Sequence, residues 1–166
     1  IVLISPIPHE DVPRVPLDPS AHNADLERYA AAMRTVAEEK RVRFIDLFRP
    51  LRPLMEDPAL GNLTINGIHL DDRGYLIASR IMAQSLGWLP IEADLLAPAS
   101  AQHLRLAEAI HDKNEIFFLR WRAVNGEYIY GRRKEPFGVL NFPAEMAQLE
   151  EMIAAAERDI RALALQ

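Results

Sequence analysis

The stretch LTINGIHLDDRGY, residues 63–75, holds the side chains best suited to acid–base chemistry. His69 ends a polar, glycine-containing loop, where a scaffold presents a side chain to a ligand. A neutral imidazole there can take a proton from a nucleophile near neutral pH. Asn66 stands three residues before it, Asp71 and Asp72 follow it, and Asp46 closes an earlier apolar run. Position alone does not make His69 catalytic, since a loop histidine also caps or bonds backbone. The neighbours have ordinary roles too. Asn66-Gly67 is a turn dipeptide tolerant of positive φ. Asp46 suits the backbone amides of a following turn, and Asp71 and Asp72 suit a helix N-terminus.

Two further groups are candidates for binding. His9-Glu10 follows the carboxyl end of a strand, where it either lines a substrate cleft or sits in a solvated loop. Arg120, Trp121, Arg122, Asn125 and Tyr128 combine planar cations with aromatic faces, which suit sugars and carboxylates. The same cluster also reads as a strap holding the last helix. His22 and His103 lack carboxylate or histidine partners at ligand spacing, so no metal site and no cofactor is expected.

These residues need a frame. Ile1 to Ile4 form a short apolar run stopped by Ser5-Pro6, the pattern of a strand buried on both faces. A proline-rich loop, PIPHEDVPRVPLDPSAHN, leads to an amphipathic helix from about Asn23 to Glu39, with Leu26, Tyr29, Ala30, Met33, Val36 and Ala37 on one face. Val42–Leu47 is the next strand, ended by Arg49-Pro50. A helix from about Asp72 to Leu86 follows the His69 loop, with Tyr75, Ile77, Ala78, Ile81 and Met82 inward. Strand, helix, strand, loop, helix is the alternation of a parallel α/β sheet.

After Trp88-Leu89-Pro90 the character changes. Residues 100–118 are expected to be helical, with Leu104, Ala107 and Ile110 on one face. Residues 119–143 read as irregular, and a last helix from about Ala144 to Leu163 carries Met146, Leu149, Ile153, Ile160 and Leu163. The division expected is therefore 1–90 and 91–166.

Composition sets the outer limits. The chain has 166 residues, 49% hydrophobic and 26% charged, an ordinary globular balance. A net charge of −5 without a basic stripe argues against nucleic acid. The absence of cysteine excludes disulfides and thiolate metal sites and leaves the compartment open. No apolar run approaches the ~18 residues that span a membrane. The opening IVLISPIP has no initiator Met and reads as a core strand already under way, so the chain is expected to be a fragment or a processed product. Two strands make a poor parallel sheet alone, which points to earlier strands.

Taken in order, a strand ending in Ser5-Pro6, NADLERYAAAM, FIDLF and LTINGIHLDDRGY resemble the C-terminal half of the SGNH, or GDSL-type, serine hydrolases. Lys113-Asn114, Phe117-Phe118 and Arg120-Trp121-Arg122 match an extension seen in a branch from planctomycete-type bacteria. The resemblance covers nearly the whole chain and is strongest over residues 1–90. It implies a flavodoxin-like α/β esterase with a Ser-His-Asp triad, whose histidine lies in a D-x-x-H block before the last core helix. His69 falls on that histidine, and Asn66 stands where the family usually has Asp. Asp46 is then the leading alternative for orienting His69, being at the carboxyl end of a strand.

The family's nucleophilic serine and its Gly and Asn oxyanion donors would precede these residues. Ser5, Ser20, Ser79, Ser85 and Ser100 all lack a Gly-Asp-Ser setting. The implied substrate is a small-molecule or glycan carboxylic ester, and the implied protein is exported. This chain alone would be inactive. A catalytically dead binding module for glycan or protein is the competing class.

Overall fold

The computed structural model describes residues 1–13, 18–122 and 138–165. It is mixed α/β and mostly helical, with five helices and a two-stranded parallel sheet among the described residues. The chain divides into two compact units, Ile1–Ala97 and Pro98–Gln166. The segment after Pro90 stays with the first unit, since Arg80 donates to the carbonyls of Leu95 and Ala97.

In the first unit β1 (Val2–Ile4) and β2 (Arg43–Ile45) pair in parallel, with Leu3 opposite Phe44. Helix α1 (Pro19–Lys40) joins them. It starts earlier than its apolar spacing indicates, because Asp18 caps it by accepting from the Ser20 amide and Pro19 fits the first turn. Its buried face runs through Asn23, Ala30 and Ala37. Tyr29 and Val36, expected inward, are exposed.

β1 is not buried on both faces. Side chains alternate along a strand, so Leu3 and Phe44 share one face, and Val2, Ile4 and Ile45 the other. The core covers Ile45, and Val2 and Ile4 remain exposed.

The second strand is shorter than its apolar run, and Arg49-Pro50 does not end an element. A helix α2 (Phe48–Met55) begins there. Pro50 lies in the first turn, where no intrahelical N–H is needed. The start of α2 is satisfied from afar, as Ser5 Oγ accepts from the amides of Leu47 and Phe48 at 2.8 and 3.0 Å. Helix α3 (Asp72–Leu86) is capped by Asp71, which accepts from the Gly74 amide at 2.7 Å. Gly87 ends it with a φ of 76°. Ile77, Ala78 and Ile81 meet Ile45, Leu51 and Leu63 in the core, whereas Tyr75 faces solvent.

The second unit holds α4 (Ala101–Arg122) and α5 (Gly138–Ala164). The less exposed positions on α4 are Gln102, Leu106, Ala109, Lys113, Ile116 and Arg120. Those on α5 include Met146, Leu149, Ile153, Ala156, Ile160 and Leu163. Both sets alternate steps of three and four, the spacing of a coiled-coil seam. Gln102 donates to the Leu163 carbonyl and Arg120 to Glu150, so the helices run antiparallel. The expected α4 face through Leu104 and Ile110 is mostly exposed instead. The seam includes Lys113 and Arg120, whose aliphatic stems cover apolar surface. Residues 119–122 and 138–143, read as irregular, are helical, and the rest of that segment lies outside the described residues.

Candidate active site

The loop between α2 and α3 is built around a buried acid. Glu10 is 3% exposed, and its Oε1 accepts from the Leu63 amide at 2.8 Å. Its Oε2 accepts from the Thr64 amide at 2.8 Å and the Thr64 hydroxyl at 2.5 Å. The Thr64 hydroxyl in turn accepts from the Gly67 amide at 2.9 Å. The Glu10 amide donates to the Gly67 carbonyl, also at 2.9 Å. Gly67 has a φ of 90°, and a Cβ there would lie 2.9 Å from the His9 ring. Glycine is needed for both reasons.

At the tip of this loop Asn66 and His69 are exposed. Asn66 Oδ1 accepts from the His69 amide at 3.0 Å and lies 3.4 Å from the Ile68 amide. Two backbone donors facing one atom fix it as the carbonyl oxygen and not the amide nitrogen. The same oxygen lies 3.0 Å from His69 Nδ1. An amide oxygen only accepts, so the ring must carry its proton on Nδ1. In the neutral ring Nε2 then carries the lone pair, on an exposed side chain. That is the tautomer a general base requires.

Asp46 does not orient this ring. Its Oδ2 is 2.6 Å from an Arg34 guanidinium nitrogen and 3.9 Å from Arg49, and its Oδ1 accepts from the Arg49 amide at 3.1 Å. A carboxylate at the start of α2 is drawn to those donors and to the helix N-terminus. Asp71 is likewise engaged as a cap.

His9 is brought to the His69 loop, packing beside Gly67, but it is buried rather than solvated. Asn23 grips its backbone on both sides, at 2.7 and 2.8 Å. His9 Nδ1 lies 3.1 Å from His22 Nδ1, so His22 has a histidine partner that sequence spacing did not reveal. One ring donates and the other accepts. Among the described residues no three His, Asp or Glu converge as a metal site would need.

A cavity of about 600 Å³ is lined by His9, Glu10, Asn23, Arg52 and Asn62, among others, and excludes Asn66 and His69. The polar groups on its wall are largely engaged: Arg52 pairs with Glu56 and Glu27, and Glu10 and Asn23 are bonded as above. Those carboxylates hold the Arg52 guanidinium pKa above its ordinary value, Glu56 most strongly. The His69 imidazole, held by Asn66, is therefore a better chemical candidate than this cavity.

Arg120, Trp121 and Arg122 end α4 in the second unit. Arg120 reaches Glu150 at 2.7 Å and lies 4.8 Å over the Trp121 ring, while Arg122 lies 6.0 Å over Phe118. These contacts tie α4 to α5 and to itself. Asn125 and Tyr128 lie outside the described residues. Glu10 is what sequence reasoning undervalued, since no local signal marks an acid whose partners are more than 50 residues away.

No protein-family model, curated protein or solved structure matches the chain.

Proposed function

We propose that the chain is the C-terminal portion of an SGNH-type serine hydrolase with a flavodoxin-like core, acting on a carboxylic ester such as an acylated carbohydrate. The observation that carries this reading is the Asn66 oxygen, bonded by the His69 amide, 3.0 Å from His69 Nδ1, a contact that calls for the Nδ1–H tautomer. His69 Nε2 takes the proton of a serine hydroxyl as that oxygen attacks the ester carbonyl, then returns it to the leaving alkoxide. The serine and the oxyanion donors come from sequence outside these residues. The parallel β1–α1–β2 unit, followed by the His69 loop and α3, supports the fold.

Asn in place of Asp is consistent with catalysis for a specific reason. In a serine-protease triad that exchange costs about 10⁴ in turnover because the ring takes the wrong tautomer. Here the backbone amides hold the Asn66 oxygen toward the ring, so the tautomer is kept and only the negative charge is missing. The test is ester hydrolysis, with p-nitrophenyl acetate and an acetylated sugar, by the protein as its gene encodes it. His69→Ala is expected to lower the rate about 10²- to 10⁴-fold. An unchanged rate with the fold retained would overturn the reading.

A further inference from the structure

We infer that Glu10 is a positioning residue for His69, acting through Thr64; this rests on the reading of His69 as the base. The hydrogen bonds form a directed chain. The Gly67 N–H points to Thr64 Oγ1, and the Thr64 hydroxyl proton points to Glu10 Oε2. Glu10 also takes the Leu63 and Thr64 amides, and its own amide holds the Gly67 carbonyl. The loop is therefore clamped at both ends of Thr64–Gly67, and the Ile65 amide closes it further by donating to the His69 carbonyl at 2.9 Å. Asn66 has only the freedom these anchors leave, and within it its oxygen meets His69 Nδ1. Bonds in such a chain polarise one another, so removing one member loosens the others.

A carboxylate is required because it only accepts. Three donors converge on its two oxygens, and the near-isosteric Gln would turn an NH₂ against at least one of them. Thr64 is required because it accepts from one side and donates to the other. Val has the same shape and does neither.

The experiment is ¹⁵N NMR of the His69 ring in the protein as its gene encodes it, with amide spectra to follow the fold. The native spectrum comes first and tests the base reading: a ring with its proton on Nε2 would overturn that reading, and this proposal with it. Given a native Nδ1–H ring, Glu10→Gln and Thr64→Val are expected to lose the bonded Nδ1–H signal and become tautomer mixtures. Thr64→Ser is expected to keep the native signal. Unchanged ring signals in folded Glu10→Gln or Thr64→Val would overturn the proposal. So would loss of the folded amide spectrum in both, which would make the pair part of the core and not a positioning device. Should Glu10→Gln alone unfold, Thr64→Val decides.

Discussion

In the first unit, the stretch from Leu63 to Asp71 is held by distant, directional bonds: Glu10 to Leu63 and Thr64, Glu10 to Gly67. In the second, α4 and α5 are held by a repeating seam, and no residue of α4 is buried. Directional bonds fix individual atoms to tenths of an ångström. A seam of half-exposed side chains fixes the helices and leaves each side chain room. The first kind of order suits a base whose tautomer matters; the second suits a spacer or a strap. Added apolar surface should then act oppositely in the two regions.

The largest effect is expected at Gly74. A Cβ there would overlap the Leu63 carbonyl oxygen and approach Leu70 to 2.9 Å. That oxygen accepts from the Asp71 amide, so Gly74→Ala must break a loop bond or shift α3. Overpacking of this kind costs about 3 kcal/mol. Denaturant unfolding followed by hydrogen exchange of α3 amides would read it, and a loss below about 0.5 kcal/mol would contradict the tight packing.

The opposite sign is expected in the seam. Lys113 occupies a seam position with its ammonium 5.5 Å from the Phe117 ring. Lys113→Leu makes a half-exposed seam position wholly apolar and is expected to stabilise the hairpin by about 1 kcal/mol. Slower exchange of α4 amides would show this. A loss comparable to that of Gly74→Ala would erase the contrast between the regions.

The smallest effect concerns pH. The Asp18 pKa lies below its ordinary value because the carboxylate accepts from the Ser20 hydroxyl and, less strongly, from the Ser20 amide. A lowered folded value means the cap contributes above the ordinary carboxylate range and is lost as pH falls through the folded value. Protection of the Ser20 amide should fade in that acid window, and Asp18→Asn, which caps without titrating, should abolish the pH dependence. An identical acid response in Asp18→Asn would remove Asp18 from the effect.

Much of the candidate site was legible in the sequence. The Asn66-Gly67 turn, a cap at Asp71 or Asp72 and the loop position of His69 were readable, because each is satisfied within a turn of backbone. Asp46 was misplaced as an orienting group. Its nearest donors, Arg34 and Arg49, compete for the carboxylate, and only the packing of α1 against β2 brings Arg34 there. α2 was missed because its two prolines argue against a helix, and the Ser5 hydroxyl that satisfies its start is more than 40 residues away.

The sequence by itself determined the local features: the bounds of α3 between Asp71 and Gly87, the apolar stripe of α5, and a histidine three residues after an asparagine. Caps, turns and periodicity are short-range, so residue type and spacing specify them. Only the tertiary structure decided that Glu10 is buried beneath that loop, that His9 meets His22, and that α4 turns Leu106 and Ile116 toward α5. Those outcomes depend on which segments fold against one another, and a buried carboxylate finds its donors through that packing.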